Sequence, residues 1–535
     1  MIPSFNSIFN FFKQRIFLDK NEKDYIKFNR SKWGFSKINK NKNKNKSQVI
    51  LVDLFPWYPS IYLWTYMTNL LSKKINADIK YYYFDFYQSK AGKSIFFIKK
   101  LINIYNSFNA TKGLTEYDFE YSQKDYSKFK KEFNKIITKK NLINYRFEGL
   151  KIGELIYDSY IRTTLEPTVN LNDERLKNIF FRSLKIFSEV KKFFKENNVR
   201  CVVPSHLCYM SYGIICKIAL ANKIPVIKVR SDKGGQVSFR LLKVDKWNLN
   251  EPAFYDYKKT FSKMSVAKKK SGIAIGKNIL QSRTSGSFDK YLPYIEKSQF
   301  HQKPLMKNIK KKIESNKEKI IIFLHCFYDY PHRFRSMIFP DFFEHALYFM
   351  KKSKLLDKYE WYYKPHPHSL VRHSNIHKIM LKDFPNIIQL DKRVSHREII
   401  KLNPKCIITN HGSVAHEYAA FNIPCINTGD NHHINYDFCI NVSSEKELER
   451  IMNNLDQCTK KLKIDKKEIY EFLFMNYHYS TNLYDERSLI KDSFFITKSY
   501  KINHSSEILK YLIKSDKKNG NKVEKYVNNF LNKHF

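Results

Sequence analysis

The chain has 535 residues, 43% of them hydrophobic and 16% aromatic, enough for two or three cored domains and far too apolar for an intrinsically disordered protein. Its 96 Lys and Arg against 51 Asp and Glu give a formal net charge of +45. The lysines run along the whole chain together with abundant Asn, Ile, Tyr and Phe, the mark of an AT-rich coding bias, so nucleic acid is not expected as a partner, whereas an anionic membrane surface remains compatible.

No stretch approaches the roughly 20 apolar residues of a membrane-spanning helix. Met1–Lys13 lacks a continuous apolar core and a small-residue cleavage site. The eight cysteines are scattered, with no C-x-x-C pair and no zinc-ligand spacing. Reduced thiols and a cytoplasmic location are expected, with peripheral attachment to the inner face of the plasma membrane compatible with the charge.

In chain order, residues 1–47 form an appendage that ends in a Lys/Asn-rich linker at 33–47. A first domain is expected over 48–255. It opens with a strand at Val49–Phe55, stopped by Pro56 and Pro59, then a helix at Ile61–Ser72 and a strand at Ala77–Phe86. A long amphipathic helix, Asp173–Asn197, precedes a strand–helix–strand unit at Arg200–His206, Tyr209–Asn222 and Ile224–Arg230, whose spacing predicts parallel pairing. The polar, Lys-rich stretch 256–318 reads as an interdomain connection. A second domain, 319–445, repeats the rhythm with strands at Ile320–His325, Trp361–Pro367, Asn386–Asp391, Cys406–Gly412 and Pro424–Gly429. Helices fill the gaps at Asp341–Ser353, Ser369–Asp383, His396–Leu402 and Val414–Phe421. Residues 446–535 read as helical and packing back across both domains. The expected fold is α/β, with two Rossmann-like doubly wound domains.

In open parallel sheets, ligands sit at the carboxyl ends of the strands. Those ends in the second domain carry His325 with Asp329 and His332, then Lys364 to His368, Asn410 to Ser413, and Gly429 to His433. The turn Asn410-His411-Gly412-Ser413 feeds a helix, which suits an anion, with Ser413 adding a hydroxyl and Glu417 reaching ribose hydroxyls. An ordinary capping serine and an exposed glutamate explain this segment equally well. His366 stands between two prolines that fix where its ring points, and Lys364 adds a point charge; together they suit a departing nucleotide phosphate. His325, Asp329, His332, His432 and His433 show no close metal-ligand spacing, so no metal is expected. The first domain's strand ends carry Asp53, His206 and Arg230 to Asp232, with Asp158, Arg162 and Glu166 in a polar segment nearby. Asp158, Glu166 and His206 are the candidates to deprotonate an acceptor hydroxyl, and each reads alternatively as a cap, a surface ion pair or a core-edge histidine. The absence of G-x-x-x-x-G-K-[ST], of G-x-G-x-x-G after a strand and of G-x-S-x-G argues against a P-loop NTPase, a classical dehydrogenase and an α/β-hydrolase.

The segments HCFYDYPHRFRSMIFPDFFEHALYF (His325–Phe349), WYYKPHPHS (Trp361–Ser369) and ITNHGSVAHEYAAFNIPCINTG (Ile408–Gly429) resemble bacterial capsule and surface-polysaccharide transferases. The broad relatives are capsular Kdo transferases, polysialyltransferases and CDP-glycerol polyol-phosphate transferases. GELIYDSYIR (Gly153–Arg162) and SHLCYMSYGI (Ser205–Ile214) resemble first-domain segments of the same proteins, so that the likeness spans roughly Leu150 to Val442. It implies a GT-B fold, with two domains facing a central cleft. The His-Pro motif falls on His366-Pro367 and the serine motif on Ser413, with Gly412 where some relatives carry a second serine; these groups would hold the nucleotide phosphates, together with Lys364, His325, Asn410 and His411. The implied reaction is inverting, metal-independent transfer of a sugar from a CMP-, CDP- or UDP-linked donor to a glycan or lipid-linked glycan of a capsule or lipopolysaccharide. The nucleotide-sugar is a co-substrate and no cofactor is expected. The alternatives are a CDP-polyol-dependent polyol-phosphate transferase and a non-catalytic basic surface-binding or scaffold protein.

Overall fold

The computed structural model describes residues 17–34, 48–85, 95–231, 239–244, 252–286, 298–305, 316–333, 337–370, 373–479 and 506–535. Asp232 and the expected linker from residue 35 onward lie outside them.

Each half of the chain builds one six-stranded sheet. The first comprises β1 (Gln48–Asp53), β2 (Ala77–Tyr83), β3 (Thr111–Thr115), β4 (Asn198–Val203), β5 (Val226–Ser231) and β6 (Phe239–Val244), in spatial order β3-β2-β1-β4-β5-β6. All pairings are parallel except β5 with β6. The second comprises β7 (Lys319–Phe323), β8 (Glu360–Lys364), β9 (Ile387–Gln389), β10 (Cys406–Thr409), β11 (Cys425–Asn427) and β12 (Ile440–Asn441), in the order β9-β8-β7-β10-β11-β12, all parallel. The shared order reverses direction between the first and fourth strands, which defines a doubly wound sheet and places a ligand crevice at that reversal. Central strands such as QVILVD and CIIT are apolar on both faces because helices cover both. Two Rossmann-like domains of the GT-B type are the result.

Around the first sheet pack α1 (Lys20–Trp33), α2 (Tyr58–Ile75), α3 (Ile95–Asn106), α4 (Gly153–Thr164), α5 (Glu174–Glu196) and α6 (Met210–Ala221). α2 begins with Pro59 in its first turn and ends at Asn76 in the left-handed conformation, φ 49°. The second domain uses α7 (Val266–Thr284), α8 (Phe342–Leu355), α9 (His373–Asp383), α10 (Val414–Ala419) and α11 (Lys466–Leu473).

Three departures from the sequence reading have identifiable causes. β3 is short, half exposed and holds Gly113, where a Cβ would lie 2.8 Å from the Tyr81 carbonyl; no alternating pattern announces it. The stretch 256–318, read as a connection, contributes Tyr257, Phe261 and Ile279 to the core of the second domain. Tyr257 and Phe261 lie on the short helix Tyr257–Ser262 and Ile279 on α7, which approaches α11 backbone to backbone: a Cβ on Gly276 would stand 1.9 Å from the Tyr470 carbonyl oxygen. The last ninety residues divide. Glu445–Asn453, Leu455–Lys461 and α11 pack on the second domain, whereas the 28-residue α12 (Glu507–His534) lies on α2 of the first.

Candidate active site

A cavity of about 300 Å³ opens at the reversal point of the second sheet, lined where β7, β8 and β10 end. Of the residues singled out in the sequence, His325, Lys364, His366, His411, Gly412, Ser413 and Glu417 all line it. Asn410 does not: it is buried beside Gly429, and neither polar atom of its side chain has a hydrogen-bond partner among the described residues.

β8 delivers Lys364, whose Nζ donates to the Lys392 carbonyl at 3.0 Å. Burial brings Lys364 down to about 8, partly opposed by Asp391 and Glu417, so it stays largely cationic at neutral pH. Beyond the strand, His366 Nδ1 accepts the His368 N–H at 3.2 Å and lies 2.9 Å from Cys326 Sγ. With Nδ1 serving as acceptor, the proton of the neutral ring belongs on Nε2. Burial, followed by the neighbouring His325, His368 and Lys364, holds His366 well below its ordinary value, so that it is a neutral donor. His325 stacks between Phe342 at 4.2 Å and His366 at 5.5 Å, with His411 4.8 Å away.

Two local readings change. Ser413 precedes α10, but its hydroxyl makes no capping bond. Glu417, expected either as an exposed residue or as a ribose acceptor, is 5% exposed and ion-paired. Arg283 Nη2 stands 3.4 Å from one carboxylate oxygen and His396 Nδ1 3.6 Å from the other. Burial alone would raise Glu417, yet His396 and the Arg283 charge hold it at about 2. Sequence reasoning missed Arg283 and His396 because each lies in an element with no ligand signature. Arg283 ends α7, inside the stretch taken for a connection, and its guanidinium lies 4.8 Å from the Tyr477 ring centre.

The three candidate bases separate. Glu166 sits at the surface, 3.2 Å from Arg175, away from the cavity. Asp158, on α4, is 2% exposed and lies 2.6 Å from Nδ1 of His332, which belongs to the second domain. Burial raises its carboxyl above the usual range, and the His332 charge and hydrogen bond oppose that. Asp329 and Tyr330, just before His332, line the cavity, so Asp158 stands where the domains meet at its rim. His206 occupies the reversal point of the first sheet. Asp53 accepts the Ser205 N–H at 3.1 Å and the Ser205 hydroxyl, and Ser205 Oγ lies 3.0 Å from His206 Nδ1. Since that hydroxyl donates to Asp53, His206 donates to it from Nδ1 and keeps a lone pair on Nε2. Burial and then the charges of Lys228 and Arg162 bring His206 down to about 3.

Further contacts hold the domains together at this rim. Asp341 accepts from Tyr157 Oη at 2.5 Å and Thr168 Oγ1 at 2.6 Å while capping α8 through the Phe343 and Glu344 N–H groups. His373 Nε2 meets the Leu165 carbonyl at 2.9 Å, and the Arg162 guanidinium lies 5.1 Å from the Tyr328 ring centre. Among the described residues, no group of three or more His, Cys, Asp or Glu side chains gathers as a metal site.

Two buried histidines give the fold a pH signature. His345 and His433 are each 2% exposed, and burial holds both down at about 3. An unfolded imidazole takes up its proton near pH 6.5, so the unfolded state binds more protons than the folded one below that value, and stability rises with pH. Each histidine is expected to cost about 2 kcal/mol of stability between pH 7 and pH 5. Urea denaturation of the wild type and of His345→Phe at several pH values checks this. A wild-type pH slope no steeper than the variant's would contradict it.

No protein-family model and no curated protein matches the chain. Solved structures that overlay loosely include the KpsC beta Kdo 2,4 transferase of Thermosulfurimonas dismutans, 12% identical, with a TM-score of 0.31 over 54% of this chain and 85% of that one. The UDP-GlcNAc 2-epimerase of Neisseria meningitidis is 10% identical, with a TM-score of 0.25 over 80% and 97%. A glycosyltransferase of Rickettsia africae is 12% identical, with a TM-score of 0.25 over 87% and 99%. Likenesses this distant say nothing of what this chain binds or does.

Proposed function

We propose that the protein transfers a sugar from a nucleotide-activated donor to a growing surface glycan. The observation that carries this reading is the convergence, in one cavity at the second sheet's reversal point, of a buried cation (Lys364), a neutral imidazole with Nε2–H free to donate (His366) and the Ser413 hydroxyl. Leaving nucleotide phosphate accumulates negative charge in the transition state, and donors already aimed at that charge are what lowers the barrier. These groups, with no metal required, would neutralise the departing phosphate.

From the first domain, Asp158, next to the cavity through its contact with His332 and not itself a lining residue, would deprotonate the acceptor hydroxyl, giving inversion in a single displacement. His332 keeps the Asp158 carboxyl from being driven further up by burial. The Asp341 and His373 contacts close the domains over the site, which limits access of water to the donor. The segments similar to capsule and surface-polysaccharide transferases support a capsular or lipopolysaccharide acceptor. The eight cysteines are all free thiols, in keeping with work on the cytoplasmic side of the membrane.

A thermal-shift series across CMP, CDP, UDP, GDP and their sugar conjugates tests the donor. A ligand specific to the folded state, present at 100 times its Kd, adds about 2.7 kcal/mol of stability. A selective CMP response would place the donor among CMP-linked acidic sugars, and UDP or GDP among hexose donors. A CDP response calls for phosphorus analysis of the product, since transfer of a polyol phosphate leaves phosphorus in the glycan. If well-folded protein responds to none of them, the transferase reading fails.

A further inference from the structure

The two helices at the termini of the described chain form a continuous basic face that the chemistry above does not use. α1 and α12 pack against each other, and both contact α2. Their inward faces are apolar: Tyr25, Ile26 and Trp33 on α1, and residues such as Leu512, Val527 and Phe530 on α12, are all buried. The register between them is locked by Lys32, whose Nζ lies 2.7 Å from Asp516, while Asp516 also accepts from Tyr62 Oη at 2.8 Å.

The outward faces are strongly cationic. On α12, Lys510, Lys514, Lys517, Lys518, Lys522, Lys525 and Lys533 are exposed, the spacing of one helical stripe. On α1, Lys20, Lys23, Lys27 and Arg30 form the matching stripe. Against these eleven cations, the exposed carboxylates of the two helices are Asp24 and Glu507. None of the eleven is in an ion pair among the described residues, whereas Lys32 and Lys100 behind them are paired with buried carboxylates. A coding bias alone supplies lysine everywhere; it does not clear acids from one face.

The face is also oriented. Glu22 near the start of α1 accepts from Tyr58 Oη at the start of α2, and Trp33 at the end of α1 meets Tyr66 further along α2 at 5.0 Å, so α1 and α2 run alongside in the same direction. α2 starts just after Asp53, at the carboxyl end of β1. The Phe17–Lys20 end of the basic face therefore lies at the rim turned toward the cleft. Phe17 there is 65% exposed. The sequence before it, Met1–Ile16, holds four phenylalanines, three isoleucines, Lys13 and Arg15, and no carboxylate.

We propose that this α1–α12 face docks the protein on an anionic lipid bilayer, bringing the first-domain side of the cleft up to the membrane surface. Lysine stripes gain from a negative leaflet roughly in proportion to their number, and they lose that gain when salt screens it. The adjoining exposed aromatic side chain and apolar sequence favour a lipid interface over a nucleic acid, which would offer phosphate but no apolar phase. This inference is independent of the reading of the active site.

Sedimentation of the full chain with vesicles tests it. The wild type is expected to bind vesicles of phosphatidylcholine with about 30% phosphatidylglycerol at about 0.1 M salt, to ignore pure phosphatidylcholine, and to be released at about 1 M salt. The quartet Lys514→Glu, Lys517→Glu, Lys518→Glu and Lys522→Glu should weaken binding by about a thousandfold or more. The milder quartet to Gln should lose less, with its far-UV spectrum and melting temperature verifying that α12 is intact. A control quartet, Lys263→Glu, Lys268→Glu, Lys270→Glu and Lys277→Glu, removes equally exposed cations from the other domain and should bind like the wild type. Any of three results overturns the proposal: no binding by the wild type, equal loss in the control quartet, or tighter binding of a short single-stranded RNA that the α12 quartet abolishes. Donor hydrolysis in solution should be the same in every variant, so a failure here leaves the transferase reading untouched, and the converse also holds.

Discussion

His366→Ala is expected to lower kcat by about two to three orders of magnitude, the range found when one preorganised donor to a developing negative charge is removed. The ring lines the cavity and is only partly buried, so the melting temperature should stay close to that of the wild type. His366→Gln keeps an N–H donor on a side chain of similar reach and should recover part of the loss, which a purely steric role would not predict. Because burial holds His366 well below its ordinary value, the wild-type rate should show no limb from this ring between pH 6 and 9. Lys364 supplies an alkaline one instead. As pH rises through about 8 it loses its charge, and KM for the nucleotide donor should climb. Steady-state kinetics across this pH range decides the matter, and near-normal turnover by His366→Ala would remove the His-Pro histidine from the leaving group's path.

The second large effect is expected at Asp158. Asp158→Asn removes the only carboxylate that the first domain contributes to the proposed reaction and should cut kcat by about two to four orders of magnitude. Glu166→Gln, which breaks a surface ion pair with Arg175, should stay within about twofold of the wild type. The pH profile carries the sign. A base works only when deprotonated, and burial raises the Asp158 carboxyl, so activity should fall as pH drops through a value above the ordinary carboxylate range. His332→Asn takes away the group that opposes that rise, so the acid limb should move to higher pH. If Asp158→Asn remains active while His206→Gln is dead, the Asp53–Ser205–His206 chain is the base, and Asp158 only joins the domains.

Much of the fold was legible along the chain. Apolar runs such as VILVD and CIIT, separated by amphipathic helices, announce buried parallel strands, because helices cover both faces and the pattern needs no partner to be read. β3, β6 and α7 were not legible. β3 is five residues long, half exposed and interrupted by Gly113, while α7 is marked by close approach at Gly272 and Gly276 and carries no apolar stripe along one face. The basic face shows the same limit. The lysines of α12 read in sequence as part of a charge spread along the whole chain, and their continuity with the stripe on α1, some 480 residues away, exists only once both helices lie on α2.

For the site, the sequence by itself determined which strand ends carry chemistry: in a parallel sheet the carboxyl ends face one rim, so Lys364, His366, His411 and Ser413 had to assemble there. It did not determine what those groups would be in electrostatic terms. Glu417 reads as a free ribose acceptor until Arg283, from 134 residues earlier, and His396 close on it. Asp158, Glu166 and His206 read alike until the fold buries the first against His332, leaves the second at the surface with Arg175 and ties the third to Asp53 through Ser205. The placement of strands and helices along the chain follows from local pattern, whereas charge state depends on desolvation and on partners far away in the chain, and only tertiary structure brings those together.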